Sequence, residues 1–168
     1  MTPERRAIAV AGFAAIRTWD TPPGVRPDGT TDGDHLRAWV IEARRLLADP
    51  GRHRVVDGVI GGILAHVPAD PDGVWPAAPV RHLIEEFESD AFDDGILSGQ
   101  INARGLVSWS PTSGGDQGRV LAEQFWEWAR RIADQPRTSS LLRQLAALDE
   151  AWARREDDQS QEFMDRDP

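Results

Sequence analysis

The side chains most able to act together crowd into residues 99–119, Gly-Gln-Ile-Asn-Ala-Arg-Gly-Leu-Val-Ser-Trp-Ser-Pro-Thr-Ser-Gly-Gly-Asp-Gln-Gly-Arg. Gly114-Gly115-Asp116-Gln117 reads as a helix start, with free backbone N–H groups. With Arg119 one turn on and Arg104 across the loop, that is the chemistry of a pocket for a phosphate or carboxylate. Asn102, the only asparagine in the chain, would orient such a ligand together with Gln117. Trp109 is a candidate contact in the same loop. A loop carried on two rigid elements is where a small helical protein places a site. Asp116, however, lies in the first turn and competes as a resident anion, and Thr112 or Ser113 can cap the same N–H groups. Gly-Gly-x-x-Gly without a Walker lysine is no phosphate signature, and Asn102 near a helix end can equally hold a turn.

A second concentration is acidic. Glu85, Glu86, Glu88, Asp90, Asp93 and Asp94 follow one another with no basic residue between Arg81 and Arg104. Such runs are usually a solvated face. Their functional reading is a docking surface for an arginine- or lysine-rich partner, opposed by the basic group Arg130, Arg131, Arg137 and Arg143. His82 with Glu85 and Glu86 has the i+3, i+4 spacing that metal sites in helical bundles use, but no second copy appears. His66 with Asp70 and Asp72 lies in a loop. No metal, no cofactor and no catalytic group is expected from these patterns.

Composition narrows the classes further. The 168 residues carry 28 acids against 19 arginines, for a net charge of −9, with no lysine, tyrosine or cysteine. Disulfides, thiolate zinc, a cysteine nucleophile, a Schiff-base lysine and a P-loop lysine are all excluded. So acidic a chain is a poor binder of phosphate backbones, so nucleic acid is not an expected partner. No apolar run approaches the ~20 residues of a membrane span. Arg5-Arg6 before Ala7–Ile16 has the look of a short secretory signal, but Glu4, the immediate Arg17 and the missing cleavage site argue for an ordinary helix. The arginine-only, Ala/Gly/Pro/Asp-rich composition matches a GC-rich bacterial genome, and a cytoplasmic location is expected.

The elements that must position these groups read as helices. Thr2 and Pro3 open the first, to about Trp19, and a Pro/Gly-rich linker completes a segment 1–30 that can sit peripherally. A second begins near Thr31 or Asp32 and ends before Asp49-Pro50-Gly51. Residues 55–67 are assigned to a buried helix on the face Val56, Val59, Ile60, Ile63 and Val67. Gly58, Gly61 and Gly62 there cost about 1 kcal/mol each against alanine but admit a close neighbour. Trp75-Pro76 leads into a helix through Phe87. Ser89 or Asp90 caps another, carrying Phe92, Ile96, Leu97 and Ile101 and stopped by Gly105. Leu106–Ser110 is at most one short extended piece. Stripes Leu121/Phe125/Trp128/Ile132 and Leu141/Leu145/Leu148/Trp152 then predict an antiparallel helical hairpin, and residues 156–168 a charged tail. The expected fold is an all-α single-domain bundle of six to seven helices. Trp39, Trp128 and Trp152 are expected in its core; Trp75, Trp109 and Trp126 are candidates for exposure.

Several of these stretches resemble a helical module of bacterial proteins that sits near the C-terminus of longer chains. They are Leu64–Pro76, Ile101-Asn-Ala-Arg-Gly, Gly114–Arg119, and the end from Pro136-Arg137 through Leu141-Leu142 to Arg155-Glu156-Asp157. The resemblance spans roughly residues 37–158 and implies a unit that serves alongside others, with no activity attached. The leading expectation is a non-enzymatic protein–protein interaction or regulatory module. Its alternatives are an acidic immunity- or antitoxin-like protein that neutralises a basic effector, and a small-anion binder at the Arg104–Arg119 loop.

Overall fold

The computed structural model describes residues 22–47, 53–103 and 115–166, with side chains of the last helix as far as Glu162. Among the described residues the architecture is all-α, as the periodicity predicts. Its helices are α1 (Gly33–Leu46), α2 (His53–Leu64), α3 (Ala78–Phe87), α4 (Asp90–Ala103), α5 (Asp116–Arg131) and α6 (Pro136–Arg166). The first four belong to one compact unit and the last two to another. The expected first helix, the extended piece at Leu106–Ser110, and Arg104 and Trp109 lie outside the described residues, as do the side chains of Phe163 and Met164.

In the first unit, the proline-rich linker ends in two turns closed by an isolated Val25–Thr31 bridge. Asp32 then caps α1, its carboxylate accepting the His35 N–H at 3.0 Å. α2 and α4 run side by side in parallel, and small residues decide how close they come. A Cβ on Gly61 would overlap the Phe92 carbonyl oxygen, one on Gly95 the Gly58 carbonyl, and one on Gly99 lies 2.8 Å from the Gly62 carbonyl oxygen. The glycines that weaken α2 as an isolated helix therefore allow backbone-to-backbone packing. Phe92, Ile96, Leu64, Leu36, Val40, Leu83 and Ile84 fill the space around this contact and are almost wholly buried.

One polar knot ties the elements together. Asp57, buried on α2, receives Arg44 of α1 bidentately at 2.8 and 2.7 Å and the Ser89 hydroxyl at 2.6 Å. The Arg44 guanidinium also lies 3.9 Å from the centre of the Phe87 ring. Asp57 reads in the sequence as an interruption of an apolar run, yet it is where α1, α2 and the α3–α4 junction meet.

The second unit is the predicted antiparallel hairpin. Its packing face on α6 is displaced from the expected one. Leu141 and Leu145 are buried, but Leu148 and Trp152 are 46% and 43% exposed, while Leu142, Ala146, Asp149 and Ala153 are buried. The reason is size: a Cβ on Gly115 would overlap the Ala153 backbone, and Gly118 packs against Asp149 and Ala153. The glycine-bearing start of α5 thus selects the small-residue face of α6. The helix continues through the charged tail to Arg166, with Ser160 buried. Other tryptophans also depart from expectation. Trp75 is buried, while Trp126 is half-buried and donates its indole N–H to Glu150 at 2.8 Å. Trp39 and Trp128 are only half-buried.

Candidate functional site

The anion-binding chemistry read at the start of α5 is present, and the chain itself supplies the anion. The Gly115 N–H donates to one Asp157 carboxylate oxygen at 2.8 Å, and Arg119 donates to the other at 2.5 Å. A second Arg119 nitrogen donates to Asp116 at 2.6 Å. Asp157 comes from the far end of α6, brought level with Gly115 by the antiparallel hairpin. The Gly115 N–H first, and Arg119 second, hold its carboxyl below the ordinary aspartate value; Asp116 and Asp157 together raise the Arg119 guanidinium. Sequence reasoning names Asp116 as the competing anion and misses Asp157, because only the helix pairing brings position 157 to this end. Gln117 is exposed beside this cluster, and Asn102 is exposed in the last turn of α4, in the first unit.

The acidic run divides among several tasks. Glu86 receives Arg37 bidentately, Nε at 2.9 Å and Nη2 at 2.5 Å, and this partner holds its carboxyl below the usual range. Glu88 takes a left-handed conformation, φ 46°, at the end of α3. Asp90 and Asp93 occupy the first turn of α4, where negative charge suits the helix N-terminus. Glu85 is half-buried, and Asp94 is exposed. Part of the run thus serves helix termini and one interhelical pair. Among the described residues no group of three or more histidine and carboxylate side chains is arranged to hold a metal ion.

Two surface features were not anticipated. An open groove of ≈ 860 Å³ follows the α2–α4 pair, with Gly58, Gly62 and Gly95 among its floor residues and Arg54, His66, Asp94 and Asn102 among its rim. A smaller hollow of ≈ 400 Å³ on the hairpin is lined by Arg119, Trp126, Arg130, Glu150 and Arg154. In addition, Leu148 and Trp152 sit one turn apart on α6, both open to solvent. The signal for the groove was available as glycines four apart, 58/62 and 95/99, on two neighbouring helices. No helix of the described residues is long and apolar enough to cross a membrane. No family model, curated protein or solved structure matches this chain.

Proposed function

We infer that this chain is a non-catalytic helical module of the bacterial cytoplasm that acts by binding another protein. The observation that carries this reading is the Leu148–Trp152 pair, 46% and 43% exposed and one turn apart on the longest helix. Large apolar side chains held at water on a rigid helix have the character of an interface core, and tryptophan is the residue most enriched at binding hot spots. A small-anion site at the start of α5 has less support, since Arg119 already serves two carboxylates of the chain. The neutralising reading of the acidic run is weakened in the same way by the Arg37–Glu86 pair.

The test is affinity purification from a high-GC bacterial host, using the wild type and the double variant Leu148→Asp/Trp152→Ala. A stoichiometric protein should accompany the wild type and be lost from the variant. The two proteins should melt alike, as surface changes usually fall within ~0.5 kcal/mol. Retention of the partner by the variant moves the interface elsewhere, and charge reversal across Glu85–Asp94 then tests the acidic face. A wild type that purifies as an empty monomer removes the interaction reading and directs the search to small-molecule ligands.

A further inference from the structure

The two sides of the α5–α6 hairpin differ in character. One side holds the charged hollow lined by Arg119, Trp126, Arg130, Glu150 and Arg154. Helical spacing turns Leu121 and Trp128 of α5, and Leu148 and Trp152 of α6, to the other side. Leu121 and Trp128 are half-buried there, and Leu148 and Trp152 are 46% and 43% exposed. Along α6 this side carries a coiled-coil seam, in which Leu141, Leu145, Leu148 and Trp152 follow one another at alternating spacings of four and three. Its first two members are buried within the hairpin and its last two are open to solvent. A seam of this kind is completed by another helix.

Charge and position select which helix. Leu148 and Trp152 straddle the midpoint of the 31-residue α6. A second α6 laid antiparallel, about a two-fold axis beside Ala151, therefore sets each Leu148 against the Trp152 of the other copy. Arg137, Arg155 and Glu162 are in helical phase with Leu148, eleven residues before it and seven and fourteen after. In the antiparallel register Arg137 of each copy comes opposite Glu162 of the other, and Arg155 comes opposite the neutral Gln144. A parallel pair would set each of these charges against its own copy, like against like. The face is thus complementary to itself in the antiparallel sense, which is the condition a two-fold dimer imposes.

Its size is sufficient. The face runs about 38 Å along α6 from Arg137 to Glu162 and about 24 Å along the 16-residue α5, each helix being about 10 Å across. That offers on the order of 600 Å² per copy, the lower end of specific protein interfaces.

We propose that two copies of this chain associate through this side of the hairpin, α6 antiparallel to α6 and α5 antiparallel to α5, as a four-helix bundle. Leu148 and Trp152 form its centre, and the Arg137–Glu162 pairs at its ends fix the direction. This rests on the interaction reading, which takes the same pair as the interface, and deepens it by making the bound protein a second copy.

Sedimentation equilibrium of the full chain should give a dimer at about 50 μM, within the range a modest interface supports. Leu148→Asp/Trp152→Ala should be monomeric at the same concentration, with unchanged helicity by circular dichroism. Exchanging charges tests the direction without touching the apolar centre. Arg137→Glu and Glu162→Arg should each weaken association by about threefold or more, and Arg137→Glu/Glu162→Arg together should restore it. Because the chain has no cysteine, a single introduced thiol reports position. Ala151→Cys, beside the axis, should be joined to its counterpart by a short bismaleimide, whereas Glu123→Cys, on the hollow side, should not. A monomeric wild type, a dimer that survives Leu148→Asp/Trp152→Ala, a double charge variant as weak as the single ones, or equal cross-linking of the two thiols overturns the proposal. A monomer that captures a different protein through Leu148 and Trp152 overturns it too, while the interaction reading itself stands.

Discussion

A single methyl group separates two kinds of glycine on α2. At Gly61 a Cβ would overlap the Phe92 carbonyl oxygen and lie 3.0 Å from the Ile96 nitrogen, so α4 must move away to admit it. At Gly62, the next residue, the nearest atom of the neighbouring helix is 3.8 Å away. Gly61→Ala is therefore expected to lose about 1–3 kcal/mol, the usual range for forcing extra volume into a tight contact. Gly62→Ala should gain about 1 kcal/mol from helix propensity. Urea denaturation of the two variants checks this directly, and a shift of the same sign in both contradicts the close-packing account. The sequence predicts that these glycines admit a neighbour, but adjacent glycines are indistinguishable until the neighbour's position is known.

At the scale of elements, polar residues and small residues decide what apolar periodicity leaves open. All-α architecture, the helix positions and the final hairpin are legible because apolar stripes, Asp32 as a cap and Pro/Gly punctuation agree. Two features are not. The α6 stripe Leu141/Leu145/Leu148/Trp152 has helical spacing, yet Gly115 and Gly118 select the face containing Ala153 and leave Leu148 and Trp152 exposed. Apolar area removed from water favours burying leucine and tryptophan over alanine, whereas a glycine on the partner helix rewards the smaller residue with closer contact. Asp57 is the second case: its partners Arg44 and Ser89 lie 13 positions before it and 32 after, and sequence alone does not pair them. Removing the carboxylate strands a partly buried guanidinium and a hydroxyl, so Asp57→Ala should cost about 3 kcal/mol. Replacing both charges, as in Arg44→Met/Asp57→Leu, should recover most of that, since an apolar pair has no desolvation penalty to meet. Chemical denaturation of the two variants decides it. If Asp57→Ala loses less than about 1 kcal/mol, comparable to one ordinary hydrogen bond, the knot does not hold α1 to α2.

For the molecule as a whole, charge acts through two opposing effects that occupy different pH ranges. The carboxyls of Asp28, Asp32, Glu42, Glu86 and Asp157 are all held below their ordinary values. Thr30 does this for Asp28, the His35 N–H for Asp32, Arg45 for Glu42, Arg37 for Glu86, and the Gly115 N–H with Arg119 for Asp157. A carboxyl lowered on folding binds its proton less well in the native state than in the unfolded chain. The stability it contributes is thus fully present above the unfolded value, about 4, and is lost as pH falls through the native value. Against this, the chain carries −9 at pH 7, and its self-repulsion eases as the pH approaches the sequence pI of ≈ 4.9. The melting temperature should therefore stay level or rise slightly from pH 7 to about 5, then fall steeply below about 4. Because these pairs are exposed, 0.5 M salt should shrink the acid-side fall by screening them. Asp157→Asn removes one contributor that joins the two ends of the hairpin. Its acid limb should be shallower than that of the wild type, at the cost of a lower melting temperature at neutral pH, where Arg119 has lost a carboxylate. Identical acid limbs in the two proteins would mean that the carboxylates of the first unit alone set the acid stability, and that the Asp157 clamp orients the start of α5 without holding it.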